Sequence, residues 1–452
     1  MLQYFATRAD KPLIADAGEV QRLYRRYRWR VFVWLVIGYG FFYTCRLSLS
    51  VAKKPMLDAG VLSVDEMGII GAVLLYVYAF GKLINGFLAD RANIRRFMSW
   101  ALVCSALINL LFGATEWFVA FVALWALNGW FQSIGSAPSV VSLCQWFSRR
   151  ERGTRYGLWA GAHNIGEGLT FIGTAVVVQH FGWRWGFWGP GLACLIIAMF
   201  MFLNLADRPQ TYGLPSVADR DGDRDGDAGA SKPTSDESIG EVQRSILKHP
   251  LLWVFGLSSA FMYVARYAVN SWAIFFLQEG KGYELIDAAT AMAAYPIFGL
   301  AGAVCSGWIS DKLFGSRRNV PTLIYGILLV ASLSAFYLIP PGYLWLDAVA
   351  LGVFGFAIGG LVVFLAGLTA IDLLPVRAAG AVKGVIGLFA YLGAATQDWI
   401  SGFMIEASRQ VTDGVAHYDF SNVFLFWIGA SVASILLAML AWNAKPSEQS
   451  SE

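Results

Sequence analysis

Apolar runs about twenty residues long recur along nearly the whole of this 452-residue chain, and that is the length a helix needs to cross the hydrocarbon of a bilayer. Twelve can be marked. The first half holds runs at roughly 31–51, 67–89, 97–115, 117–146, 156–180 and 183–205, and the second at roughly 251–277, 288–310, 321–339, 344–373, 379–404 and 422–442. With 57% of residues hydrophobic and 14% charged, too little polar surface remains for a water-soluble domain. Period-two alternation is absent, which argues against an outer-membrane barrel. The expected fold is an all-α membrane protein of twelve transmembrane helices. Soluble enzymes are excluded by composition, and no catalytic triad or nucleotide-binding loop is visible, so enzyme activity is not expected.

The basic residues alternate in side. Arg22, Arg25, Arg26, Arg28 and Arg30 precede the first run; Arg91, Arg95 and Arg96 follow the second; Arg149, Arg150, Arg152 and Arg155 follow the fourth; Lys312, Arg317 and Arg318 follow the eighth; Arg377 and Lys383 follow the tenth. The positive-inside rule then puts both termini in the cytoplasm. Residues 1–30 lack the central apolar region of a cleavable signal. The expected division is a cytoplasmic segment 1–30, a six-helix bundle 31–205, a cytoplasmic linker 206–250, a second bundle 251–442 and a tail 443–452. The linker contains the low-complexity stretch "DRDGDRDGDAGASKPTSDES". Asp221, Asp223, Asp225 and Gly226 imitate the start of a calcium loop, but Lys232 stands where the closing glutamate would be, so no metal is expected. The five cysteines fall inside runs without a CxxC pair and read as small buried residues.

Two runs carry an arginine: Arg46 in "GYGFFYTCRLSLSV" and Arg266 in "AFMYVARYAVNSWAIFF". Arginine has no accessible neutral form, and placing one at a helix centre costs about 3 kcal/mol on an insertion scale. The two stand 220 residues apart, while Asp90 in "GFLADRANIRR" and Asp311 in "GWISDKLFGSRR" stand 221 apart. A duplicated chain has placed a guanidinium at the same depth in each half. Two such cations facing one cavity form a site for an anion, most simply a phosphate. Helical spacing gathers partners around them. Tyr39, Tyr43 and Arg46 share one face of the first span; Tyr78, Lys82 and Asn85 share a face of the second; Tyr263, Arg266 and Asn270 share a face of the seventh. Glu167 and Asp398 are the intramembrane acids that could neutralise an arginine or carry a proton.

The stretch from Gly86 to Arg96, with its weaker copy at Gly307–Arg318, resembles the signature loop of the major facilitator superfamily. That resemblance implies two pseudo-symmetric six-helix bundles, with Asp90, Arg91 and Asp311 holding the cytoplasmic gate. "YTCRLSLS", "YVYAFGKLINGFLADR", "GAHNIGEG", "DRPQTYGLP" and "GLFAYLGA" resemble the organophosphate:phosphate antiporters of that superfamily, a group that includes glycerol-3-phosphate and hexose-phosphate transporters and a hexose-phosphate sensor. The resemblance spans nearly the whole chain and implies a substrate role for His163.

Some positions depart from the family pattern. Glu167 replaces a glycine, Leu47 follows the first arginine where lysine is usual, Ser271 stands where aspartate precedes the seventh-span tryptophan, and "GSAPSVV" replaces a "GWPPCGR"-like stretch. At i and i+4, His163 and Glu167 could pair. The expected activity is exchange of an organophosphate for inorganic phosphate by alternating access. A membrane sensor working through a signalling partner, or a proton-coupled organic anion symporter using Glu167 and Asp398, are the alternatives. The expected partners are a small organophosphate, phosphate and the lipid bilayer, with no nucleic acid and no cofactor, in a monomer.

Overall fold

The computed structural model describes residues 2–89, 91–221, 247–314, 318–365, 379–413 and 415–442. Most of the 206–250 linker, the 443–452 tail, Asp90 and Arg377 therefore lie outside the described residues. Twelve long helices, α1–α12, account for most of what is described: α1 Ala17–Asp58, α2 Val64–Ala89, α3 Ile94–Ala114, α4 Phe118–Trp146, α5 Arg149–Phe181, α6 Trp185–Asn204, α7 Pro250–Glu279, α8 Leu285–Leu313, α9 Asn319–Leu338, α10 Leu344–Val363, α11 Ala379–Ala407 and α12 Ser421–Leu440. A small hairpin of β1 (Gln410–Thr412) and β2 (Val415–His417) joins the last two.

Ten of the twelve are long and apolar enough to cross a membrane. The other two, α5 and α11, occupy corresponding places in the two halves and carry polar residues inward: Glu167 and Thr170 on α5, Gln397 and Asp398 on α11 are all buried. Helix α1 begins well before its apolar stretch, because an arginine-rich amphipathic turn continues it out of the membrane. Helix α4 breaks at Ser133–Gly135. Pro138 just beyond has no N–H to bond the Ile134 carbonyl, so the ladder cannot run through.

The pairings within one half repeat in the other. Helix α1 packs on α5 and α6, α2 on α4, and α3 on α4 and α6; α7 packs on α11 and α12, α8 on α10, and α9 on α10 and α12. Close approach is needed in the matched pairs. A Cβ at Gly129 would come within 2.3 Å of the Leu74 carbonyl oxygen, and one at Gly355 within 2.0 Å of the Tyr295 carbonyl oxygen. Between the halves, α2 meets α11, α5 meets α8, and α1 meets α7, which is again the same arrangement read from either half.

The residues before and after the first half form a cap on it. The chain from Phe5 to Ile14 crosses the bundle end, with Asn93 N donating to the Phe5 carbonyl (2.7 Å) and Ile14 N to the Gly213 carbonyl (3.0 Å). Asp207, in "DRPQTYGLP", accepts from Asn93 Nδ2 at 2.8 Å, and its carbonyl accepts from Trp146 Nε1 at 2.8 Å. That motif ties the ends of α3, α4 and α6 together, and the first part of the expected linker thus folds onto the bundle. Burial pushes the Asp207 carboxyl above the usual carboxylate range.

Candidate functional site

The two halves are tied to each other at one end. At the end where α2 begins, Val64 N faces Glu406 Oε2 at 3.4 Å, Tyr76 and Thr396 share a hydrogen bond of 2.9 Å, and Lys54 pairs with Glu279. At the end where α1 starts and α12 finishes, a Cβ added at Gly86, Gly157, Gly307, Gly384 or Gly387 would meet nothing within 4 Å. Those glycines lie on α2, α5, α8 and α11, the four helices at the boundary between halves. Among the described residues, the hydrogen bonds and ion pairs between the halves gather at the end where α2 begins.

Arg46 is buried where the halves meet, 8% exposed, and lines a narrow cleft with Tyr267 of the other half. Its Cζ lies 4.0 Å from the centroid of the Tyr43 ring and 5.4 Å from that of Tyr78. Arg266, from the other half, has its Cζ 5.3 Å from the Tyr263 ring and 5.8 Å from the Tyr267 ring, and donates from Nη1 to the Tyr263 hydroxyl at 3.4 Å. Tyr391 of α11 joins the halves: its ring is 4.7 Å from Tyr78, 5.6 Å from Tyr263 and 6.0 Å from Tyr267, and Lys82 Nζ lies 5.1 Å from it. His163 packs against Tyr43 (5.5 Å) and Tyr39 (6.4 Å), and Tyr39 stacks on Trp159 at 4.5 Å. His163, Glu167 and Tyr267 are each within electrostatic reach of both guanidiniums.

Among the described residues neither Arg46 nor Arg266 makes a salt bridge. Arg46 Nε is buried with no hydrogen-bond partner. A ring face under a cation contributes about 0.5–2 kcal/mol. Taking that cation out of water costs several kcal/mol. Aromatic rings and the nearby Glu167 carboxylate surround the two guanidiniums, and neither has an ion-pair partner among the described residues. Tyrosine hydroxyls and guanidiniums are both donors that can bind an oxyanion.

Residues 35–396 match the Major Facilitator Superfamily. The chain belongs to this superfamily. Within it, the relatives are those of the organophosphate:phosphate antiporter group. The membrane sensor protein UhpC of Salmonella typhimurium is 34% identical, over 88% of this chain and 90% of that protein. The glycerol-3-phosphate transporter of Bacillus subtilis is 32% identical, over 95% of each. A bacterial homologue of the human lysosomal transporter Spinster, in an inward-facing and unoccupied conformation, superposes with a TM-score of 0.71 over 92% of this chain and 95% of that one; at 16% identity it speaks to the fold alone.

This major facilitator places the sequence candidates unevenly. Arg46, Arg266, Lys82, His163, Tyr39, Tyr43, Tyr78 and Tyr263 gather in one cluster linked by ring and cation contacts. Asn85 turns away and donates to Ser133 Oγ at 2.8 Å, docking α2 onto the break in α4. Glu167 faces Asn270 and the guanidiniums, and His163 turns to the tyrosines, so the i, i+4 pairing of His163 with Glu167 does not form. Asp398 lies beside a cation that was not among the expected site residues: Lys53 Nζ is 3.7 Å from Asp398 Oδ1. Of the gate residues, Arg91 is exposed and its carbonyl accepts from Thr7 N at 3.2 Å. Asp311 lies in α8 with its side chain outside the described residues, as Asp90 is entirely. Cys45 and Cys194 are buried as expected, whereas Cys144 is exposed.

Three members of the site were missed. Tyr267 sits one residue past Arg266, Tyr391 lies inside "GLFAYLGA", and Tyr295 on α8 reaches Arg266. The first two were present in stretches singled out for other reasons. Tyr295 carried no signal, because only the crossing of α7 and α8 brings it to the arginine.

Proposed function

We propose that this protein exchanges an organophosphate for inorganic phosphate by alternating access. The observation that carries the reading is the pair of guanidiniums, one from each half, that make no salt bridge among the described residues and share a cluster of tyrosines. Arg46 and Arg266 bind the phosphoryl group, Lys82 and His163 assist, and Tyr39, Tyr43, Tyr78 and Tyr263 shape the pocket. Because the two cations belong to different halves, they repel each other when the site is empty. An anion between them offsets that repulsion, so the loaded protein rocks between its two openings more readily than the empty one. Coupled exchange follows from that difference. Asp90, Arg91 and Asp311 hold the gate at the cytoplasmic end, in a bacterial inner membrane with both termini inside. A single chain supplies both halves of the site, which supports action as a monomer.

A second reading is a sensor that binds a sugar phosphate and passes the signal to a partner, supported by the 34% identity to a membrane sensor protein. Proteoliposomes loaded with labelled phosphate separate the two. External phosphate or an organophosphate should release the label, and buffer alone should not. Saturable binding of an organophosphate without release of label would favour the sensor and overturn exchange.

A further inference from the structure

The stripe that holds Tyr39, Tyr43 and Arg46 on α1 continues at the same spacing to Ser50 and Lys53. Lys53 is buried toward the end where the halves are tied, about 10 Å along the helix from Arg46 by its seven-residue rise. One narrow cleft of about 30 Å³, room for a hydroxyl-sized tip and not for a whole sugar ring in this conformation, is lined by both, together with Trp125, Tyr267, Ser271 and Asp398. At the far end of this cleft the ammonium and the carboxylate come from different halves. Asp398 Oδ2 accepts from Ser271 Oγ at 3.2 Å, and Lys53 Nζ sits 3.2 Å from the centroid of a Trp272 ring.

The pair is incomplete in a specific way. At 3.7 Å, Lys53 Nζ and Asp398 Oδ1 attract each other as charges but are too far apart for a direct hydrogen bond, and neither atom has another hydrogen-bond partner among the described residues. Each residue is 2% exposed or less. The approach is also built for: a Cβ at Gly71 would fall 1.9 Å from Asp398 Oδ2, so only glycine leaves the carboxylate room there. A buried donor and a buried acceptor, both unsatisfied and side by side, match a hydroxyl group, which accepts from one and donates to the other. Phosphate alone would not span from Arg46 to this point.

We propose that Lys53 and Asp398 form the subsite for the organic part of the substrate, reading a hydroxyl at the end remote from the phosphoryl group. The substrate class this selects is a polyhydroxylated phosphate monoester long enough to reach from Arg46 to Lys53. The proposal rests on the functional reading above, because that reading places the phosphoryl group on Arg46 and Arg266.

The test compares phosphate, a hexose 6-phosphate and hydroxyl-free hexyl phosphate, in equilibrium binding to the purified protein and in exchange against labelled phosphate. Removing one charge alone would strand the other in the interior, so the variant is Lys53→Gln combined with Asp398→Asn. Wild type should favour the hexose phosphate over hexyl phosphate by at least about tenfold, as sites built around a hydroxyl do. The double variant should bind phosphate within about threefold of wild type and lose most of that preference. An undiminished preference in the double variant overturns the subsite. So does a parallel loss of phosphate binding and hexose phosphate binding, which would make the pair a tie between the halves. Wild-type protein that binds with this preference but does not exchange would overturn the exchange reading and leave the subsite standing.

Discussion

A guanidinium inside a membrane cannot shed its proton, so its surroundings have to answer the charge. Lysine in the same place keeps the charge and loses the fork. Arg46→Lys and Arg266→Lys should each lower phosphate exchange by at least about tenfold, about 1.4 kcal/mol, while the protein still inserts and accumulates. Near-normal exchange in either variant would remove the two-pronged clasp. Glu167 acts in the opposite sense. It lies near both arginines without pairing with either, and so opposes an incoming anion. Glu167→Gln should tighten phosphate binding by on the order of 1 kcal/mol, about fivefold, and slow release. Weaker binding in Glu167→Gln would mean the carboxylate positions Arg266 instead. Much of this site was legible as helical spacing: tyrosine and cation recur together on α1, α2 and α7. Which of two acids pairs with which base was not, because Lys53 and Asp398 are 345 residues apart and meet only where the halves close.

At the scale of elements, the long apolar runs and the 220-residue repeat were enough to place twelve helices, since a membrane allows few alternatives. Helix ends were less legible. Helix α1 runs on at both ends because its flanking turns are amphipathic, and the break in α4 depends on Pro138 acting within one apolar run. The motif "DRPQTYGLP" carries resemblance, yet Asp207 works as a knot for three helix ends and lies away from the site. The tied end depends on α2 and α11 lying almost in contact. A Cβ at Gly68 would come within 2.7 Å of the Asp398 carbonyl oxygen and 3.0 Å of Gly402 Cα, backbone atoms with little freedom to move. Overpacking of this kind costs about 1–3 kcal/mol. Gly68→Val should therefore hold that end apart and cut exchange more than it cuts phosphate binding to the detergent-solubilised protein. Unchanged exchange would show that the α2–α11 seam is looser than its geometry.

At the scale of the whole molecule, matched helix pairings in the two halves make rocking about a fixed site mechanically simple. The open glycine faces give the orientation a direct check. In a variant whose native cysteines are replaced by serine, Gly86→Cys or Gly384→Cys should react with an impermeant maleimide in inside-out vesicles and not in right-side-out ones. The reverse pattern would invert the assigned topology. The central claim is that one phosphoryl group is held by both halves at once. A double-mutant cycle tests it most directly, with equilibrium phosphate binding measured for wild type, Arg46→Lys, Arg266→Lys and the two combined. If the arginines clasp one anion, either change alone breaks the clasp, and the combined loss falls short of the sum of the single losses by more than about 0.5 kcal/mol. Losses that add within that margin would mean the two cations bind independently, and the account of coupled exchange would fail with them.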